Sequence, residues 1–240
     1  NNDRPGILLS SAIEKYANLY GVACGEKIVL FTNNDSAYET AISLYKKGIN
    51  VEAIIDNREE TDSKLIKETE KNNIKVYKGY TVVDTYGYKR INKVSIMQLS
   101  KDGQKAIGSK ISISCDCLGI SGGWTPAVHL FTQSGGKLKF RDEDQVFIPN
   151  IYPSDQISIG SCNGDFTLDE ILSTVPKTLK EFLNLKKIDY EDLEIQSSFN
   201  KSKRNIWLLP SDKIIGKTKP FVDYQNDATA KDIKLALREG

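Results

Sequence analysis

KIVLFTNNDSAYETAISLYKKGINVEAIID, residues Lys27 to Asp56, decides the fold. Lys27–Thr32 is a short apolar run rich in β-branched and aromatic residues, the pattern of a strand buried on both faces. Asn33-Asn34-Asp35-Ser36 is turn chemistry, and Asp35 or Ser36 can cap the helix that follows. Ala37, Ala41, Leu44 and Tyr45 recur at helical spacing, and Gly48 ends that helix. Val51–Ile55 is a second apolar strand with Asp56 at its carboxyl end. Parallel strands joined by a helix make a Rossmann-like unit, in which a pyrophosphate meets the helix start and an acidic residue about 20 positions on holds a ribose. The glycine fingerprint of that unit is broken here. Thr32-Asn33-Asn34-Asp35-Ser36-Ala37 keeps the last small residue and replaces both earlier glycines. The first of those glycines makes the tight turn, and the second lets a pyrophosphate approach the backbone. Asn tolerates positive φ, so the turn can survive at Asn34. Its side chain opposes the close approach.

Working outward, Arg4-Pro5-Gly6 is a loop and Ser10–Leu19 an amphipathic helix carrying Ile13, Tyr16, Ala17 and Leu19. Thr61 or Asp62 caps a charged helix running to Asn72, and Ile74–Tyr77 is a third short strand. The period then changes. Tyr80–Tyr86, Lys89–Leu99 and Lys105–Ile113 alternate apolar and polar residues around turns at Tyr86-Gly87-Tyr88 and Lys101-Asp102-Gly103-Gln104, which predicts an antiparallel β-meander. Ser114–Ser121 reads as a strand ending in Ser121-Gly122-Gly123. Such an end exposes backbone N–H groups and suits contact with a cofactor, though it is equally the chemistry of a plain turn. Phe140–Pro149 reads as strand, turn and strand, Ile157–Gly160 as a last short strand, and Thr167–Leu185 as a helix that Pro176 kinks or splits. Leu185–Lys203 reads as a polar linker, Asn205–Pro210 as a short strand, and Ala228–Glu239 as a helix capped by Asp227. The fold class predicted is α/β, Rossmann-like of the FAD/NAD(P)-binding type, with a parallel sheet and an antiparallel β-meander.

Composition excludes several functions. The 240 residues carry 33 Lys and Arg against 32 Asp and Glu, which leaves no electrostatic footprint for nucleic acid or an anionic membrane. No apolar run approaches the roughly 18 residues of a membrane span, and no signal-like start is present, so the expected location is the cytoplasm. The chain opens on Asn1 and closes on Arg238-Glu239-Gly240, which suggests a piece of a longer polypeptide. The one histidine, His129, sits in an apolar run and reads as packing; no catalytic residue and no metal site is predicted. Cys115 and Cys117, two apart in the expected strand, would point to one face with Cα atoms about 6.6 Å apart, poor geometry for a disulfide. Asp223, Asn226 and Asp227 lack the spacing of a calcium loop and read as a strand end and a cap.

Asn34-Asp35-Ser36-Ala37, with Glu39 and Ala41 behind it, resembles the G-G-G-D-S-A-x-E-x-A stretch of thioredoxin-reductase-like enzymes. A resemblance over nearly the whole chain is to the α subunit of heterotetrameric sarcosine oxidase. It is carried by Asn2-Asp3-Arg4-Pro5-Gly6, Phe31–Tyr38, Cys115-Asp116, Ser121–Leu130, Gln133–Leu138, and Phe221–Asp227 with Thr229–Asp232. It implies a large subunit with interleaved Rossmann domains and a downstream domain for tetrahydrofolate. The implied reaction is oxidative demethylation of sarcosine to glycine, with methylenetetrahydrofolate and hydrogen peroxide as further products. It also implies NAD in the large subunit, FMN at a subunit interface, FAD in the β subunit, and β, γ and δ subunits as partners.

On that resemblance, 24–120 is the inserted second nucleotide-type domain with its meander. Residues 1–23 and 121–185 then belong to the first FAD/NAD-type domain, and 186–240 leads to the folate domain. Asp35, Ser36 and Asp56 would face a nucleotide in the inserted domain. Ser121, Gly122 and Gly123 lie where the chain passes back towards the cofactor domain. Gly160 and Ser161 match a loop that caps the cofactor in related flavoproteins. The expected role is a non-catalytic scaffold. The alternatives are a self-contained NAD(P)H-dependent reductase, which needs an intact glycine loop or a C-x-x-C, and an interaction module with a degenerate Rossmann core.

Overall fold

The computed structural model describes residues 2–153, 155–185, 204–210 and 219–239. Strand β1 (Ile7–Leu9) runs directly into helix α1 (Ser10–Tyr20). There follow β2 (Ile28–Thr32), α2 (Ser36–Lys46), β3 (Val51–Asp56), α3 (Lys64–Lys71) and β4 (Lys75–Lys78). The meander is β5 (Tyr80–Tyr86), β6 (Lys93–Leu99) and β7 (Ala106–Ser114), after which β8 is Cys117–Ser121. Beyond it lie α4 (His129–Gln133), β9 (Lys137–Arg141), β10 (Val146–Ile151), a 3-10 turn at Gly160–Asn163 and α5 (Leu168–Phe182). Last come β11 (Phe221–Asp223), β12 (Ala228–Thr229) and α6 (Ala230–Glu239).

By packing, the chain forms two compact units, Asn1–Gly122 with Asn200–Gly240, and Gly123–Phe199. The first unit is built on a five-stranded sheet of order β1-β8-β2-β3-β4, every pair parallel. The order reverses at β2, which pairs with β3 on one side and β8 on the other. β5, β6 and β7 form their own antiparallel sheet and serve as the crossover from β4 to β8. This is the α/β class read from the sequence, parallel sheet and meander included. Residues 7–20, grouped from the sequence with a different domain, join this sheet through the pairing of β1 with β8. The apolar stripe of α1 requires it: Ile13 and Ala17 are buried. In the second unit, β9 and β10 form an antiparallel hairpin.

β2 is buried at every position because both faces of the sheet are covered. Val29 and Phe31 cluster with Ile91, Val94 and Ile96 on the meander side. Leu30, of opposite parity, points to the helical layer, where α2 buries Ala37, Tyr38, Ala41 and Leu44. Gly119 of β8 sits between these layers, and a Cβ there would lie 2.5 Å from Leu30 Cδ2 and 2.9 Å from Ile13 Cδ1.

Several local expectations change. Ser63, rather than Thr61 or Asp62, caps α3, its Oγ accepting from the Ile66 N–H at 3.3 Å. β8 begins at Cys117 because Asp116 turns aside to accept the Glu26 and Lys27 N–H groups, each at 2.9 Å. Cys115 therefore leaves the strand and joins the core cluster. Residues 157–159 and 205–210 are not strands. The helix α5 stays continuous through Pro176. Asp227 sits in the turn before β12 with φ 52°, and Asp232 takes the capping role by accepting from the Thr229 N–H at 2.8 Å. The linker reading of 185–203 falls, beyond Leu185, outside the described residues. Among the described residues no helix is long and apolar enough to cross a membrane.

Because Gly119 has no free volume at its Cα hydrogen, Gly119→Ala is expected to lower stability by about 1–3 kcal/mol through overpacking. Urea unfolding followed by tryptophan fluorescence measures this, and an unchanged midpoint would contradict the packing described.

Candidate functional site

The reversal of strand order places a crevice at the carboxyl ends of β2 and β8, the position where open α/β sheets bind ligands. Thr32 pairs with Ser121 at that edge. The Asn33 N–H donates to Ser121 O at 3.3 Å, and the Asn57 N–H to Thr32 O at 3.0 Å. Thr32 shapes the turn without any residue at positive φ: its Oγ1 accepts from the Asn34 N–H at 3.1 Å and donates to Asn34 O at 2.8 Å. Asn34 is not among the residues at positive φ, so the turn survives by a route other than the one its residue type suggests.

Asn34 occupies the place that a missing glycine side chain would leave open. It is buried, and its Oδ1 accepts from the Ser36 N–H at 3.0 Å and from the Ser36 hydroxyl. The first free N–H of α2, which in a nucleotide-binding unit points at phosphate, is thus satisfied by an amide oxygen. The Asn34 amide group also donates, to Ser121 O and Oγ at 3.2 Å each and to Asn33 Oδ1 at 2.8 Å. The Ser36 and Ser121 hydroxyls lie 2.9 Å apart.

Beneath this turn is a buried charge network. The Arg58 guanidinium donates to Asp35 at 2.8 Å and to Asp56 at 2.7 Å, with both carboxylate side chains 0% and the guanidinium side chain 2% exposed. Its Nε also donates to Asp56 Oδ1 at 3.0 Å, and the Tyr38 hydroxyl donates to Asp56 Oδ2 at 2.8 Å. Burial works against the charge on Arg58, but the hydrogen bonds and charges of Asp56 and then Asp35 outweigh it, and its pKa is raised. Burial first, and then the Asp56 carboxylate, holds the Tyr38 phenol far above its ordinary range.

The residues present therefore do not fit a dinucleotide. The helix start is capped by Asn34, a carboxylate stands directly behind it, and the strand-end acid Asp56 faces inward to Arg58 and Tyr38. The crevice itself is lined by Phe31, Asn33, Ile120 and Gly122 on one side and by Asn205 and Trp207 on the other. Its volume of about 230 Å³ falls below the roughly 300–1,000 Å³ of pockets that enclose drug-sized ligands.

Of the residues singled out from the sequence, Asp35, Ser36, Asp56 and Ser121 converge on one turn, and Gly122 lines the same crevice. Gly123, Gly160 and Ser161 belong to the second unit. There Gly160 is buried at φ 70° and opens the 3-10 turn, while Ser161 is exposed. Asp35 or Ser36 was expected to cap α2; Asp35 stands at the cap position but makes no capping bond, because its carboxylate goes to Arg58, and Ser36 is the first residue of the helix. His129 is exposed at the start of α4 rather than packed. Arg58, Tyr38 and Arg204 were missed. The signal for Arg58 was its place two residues beyond a strand-end acid, where an arginine can serve a phosphate in other sheets of this kind. Among the described residues no group of three or more His, Cys, Asp or Glu is placed to hold a metal ion.

The fold is that of L-proline dehydrogenase from P. horikoshii, with a TM-score of 0.51 and 18% identity over 100% of this chain and 43% of that one. The likeness concerns the fold, which is α/β and Rossmann-like. No family model matches it. It is 33% identical over 251 residues, its whole length, to sarcosine oxidase subunit alpha of Corynebacterium sp. (strain P-1), covering 25% of that protein. It is 30% identical over 250 residues to sarcosine oxidase subunit alpha of Rhizobium meliloti (strain 1021), covering 23% of it. The chain is a homologue of sarcosine oxidase alpha subunits and spans about a quarter of the length of the curated relatives it matches.

Two measurements probe the site. Arg58→Met leaves two buried carboxylates without their cation, and removal of one partner from such a network is expected to cost about 3–5 kcal/mol; a loss below 1 kcal/mol in urea unfolding would contradict the burial described. Burial, followed by the Asp116 charge, pushes the Cys115 thiol up to about 12, and burial followed by Cys24 does the same for Cys117. Both are therefore expected to stay unreactive towards a thiol reagent at pH 8 until the chain unfolds, and mass mapping of labelled peptides reads which cysteines react.

Proposed function

We propose that this chain acts as a non-catalytic, nucleotide-type scaffold within the large subunit of a sarcosine-oxidising enzyme. On this reading the enzyme would demethylate sarcosine oxidatively to glycine, with methylenetetrahydrofolate and hydrogen peroxide formed. On this reading the oxidation takes place outside this chain, at FAD in a β subunit, with FMN at a subunit interface and tetrahydrofolate served by another domain. NAD would be held by another part of the large subunit, since the turn at Asn33–Ser36 does not fit it. The partners would be the β, γ and δ subunits, and the location the cytoplasm.

The observation that carries the proposal is the Asn34 side chain, which caps α2 where a dinucleotide's phosphate would otherwise bind. Full-length homology to the alpha subunits supports the assignment to the large subunit. Residues 24–120, joined by β1 and α1, would form the inserted nucleotide-type domain. Residues 121–185, with Gly123, Gly160 and Ser161, would form part of the first FAD/NAD-type domain, and 186–240 would lead towards the folate domain.

A ligand that binds only the folded state raises its melting temperature, by about 2.7 kcal/mol of added stability at a hundredfold excess over Kd. Thermal-shift titrations of the chain with NAD, FAD and FMN to millimolar concentration are expected to show no saturable rise. A saturable rise with NAD would overturn the proposal.

A further inference from the structure

The second unit, Gly123–Phe199, is inserted into the first, so the chain leaves the first unit after Gly122 and is described in it again from Arg204. Both connections are fastened at one place. The outgoing connection is held at Ser121, whose carbonyl accepts from the Asn33 N–H at 3.3 Å and from Asn34 Nδ2 at 3.2 Å. The Ser121 hydroxyl is bonded to Asn34 and Ser36 as well. The incoming connection is held at Arg204 and Asn205. Arg204 O accepts from Asn33 Nδ2 at 3.4 Å and from Asn57 Nδ2 at 3.3 Å, and Asn205 Oδ1 accepts from Asn33 Nδ2 at 3.5 Å. The Arg204 guanidinium donates to three backbone carbonyls, Asn57 at 2.9 Å, Ser100 at 2.6 Å and Lys101 at 2.7 Å. The two asparagines that grip the two connections are joined to each other by the 2.8 Å bond from Asn34 Nδ2 to Asn33 Oδ1.

We infer that the Asn33–Asn34 pair, with Arg204, has made the phosphate turn of this fold into a clamp that fastens both chain connections of the second unit. Glycines at these positions leave room for a phosphate and offer only backbone N–H groups. An asparagine carries a donor and an acceptor on one side chain, so it can cap the helix and bind a passing peptide backbone at once. Arginine adds donors in a rigid fork, which is what reaching carbonyls on two separate loops requires. Residues of the peptide segment 204–209 thereby form one wall of the crevice. Ile206 packs beside Gly103, where a Cβ would lie 3.2 Å from Ile206 Cδ1, and Leu209 packs on the core cluster.

The inference rests on the reading that this turn takes no dinucleotide. The nucleotide titration tests that reading, and amide exchange tests the clamp, so each can fail alone. Hydrogen exchange of the whole chain, read by mass spectrometry, compares wild type with Asn34→Gly and Arg204→Ala. Each variant is expected to speed exchange at least tenfold in peptides spanning 119–123 and in peptides spanning 204–209, while β6 stays as slow as in wild type. The cross-effect is the decisive readout: Arg204→Ala must loosen Ser121–Gly122, which it does not touch. If each variant loosens only its own connection, or neither, the clamp is refuted. If a variant speeds exchange in β6 as well, Arg204→Lys replaces it, keeping the charge but losing the fork, and the same two peptides decide by the same criterion.

Discussion

Arg58 between Asp35 and Asp56 is the interaction on which the carboxyl edge of the sheet depends. It joins the turn after β2 to the end of β3, and Tyr38 brings in α2 through the same carboxylate. Taking three charges out of water is unfavourable unless each is paired and hydrogen-bonded. Here the guanidinium fork meets carboxylates on two sides, and the phenol adds a further donor to Asp56. The net charge is negative by one, and the start of α2 lies beside Asp35, where the helix dipole favours an anion. Once the network forms, neither acid can turn outward to a ribose, and the turn above it has one geometry.

That constraint explains why the fold keeps so much of a nucleotide-binding unit without its ligand. The parallel sheet, the helical layer and the reversal of strand order come from the burial of apolar faces, which needs no cofactor. The ligand's own requirements were a bare backbone and an outward acid. Asn34 removes the first and Arg58 the second. Asn34 caps the helix N–H and Arg58 pairs both acids, while Asn57 Oδ1 at the same edge is buried without a hydrogen-bond partner. The peptide segment at 204–209 adds to this, since the Arg204 carbonyl accepts from the side-chain amides of Asn33 and Asn57 at that edge.

The family relation and the fold agree with this picture at different levels. Similarity along the whole chain relates it to a quarter of the length of sarcosine oxidase alpha subunits, and likeness to L-proline dehydrogenase concerns the backbone alone. The relatives are about four times as long as this chain.

The strands, the helices and the meander were legible in the sequence because burial imposes a period: continuous apolar runs for β2 and β3, alternation for β5 to β7, a stripe for α1. The departure from the glycine fingerprint was legible too, since two asparagines in place of two glycines is a local fact about volume. The candidate acids Asp35 and Asp56 were found for the same reason, by spacing. What the sequence could not say is where their charges go, because Arg58 and Tyr38 meet them only when β3 lies beside β2 and α2 covers both. Nor could it show that Arg204, about 170 residues beyond Asn33, returns to the same turn. Local order is dictated by near neighbours and solvent, and the sequence holds that in full. Which buried donor satisfies which buried acceptor is decided by contacts between distant segments, and only the tertiary structure brings those segments together.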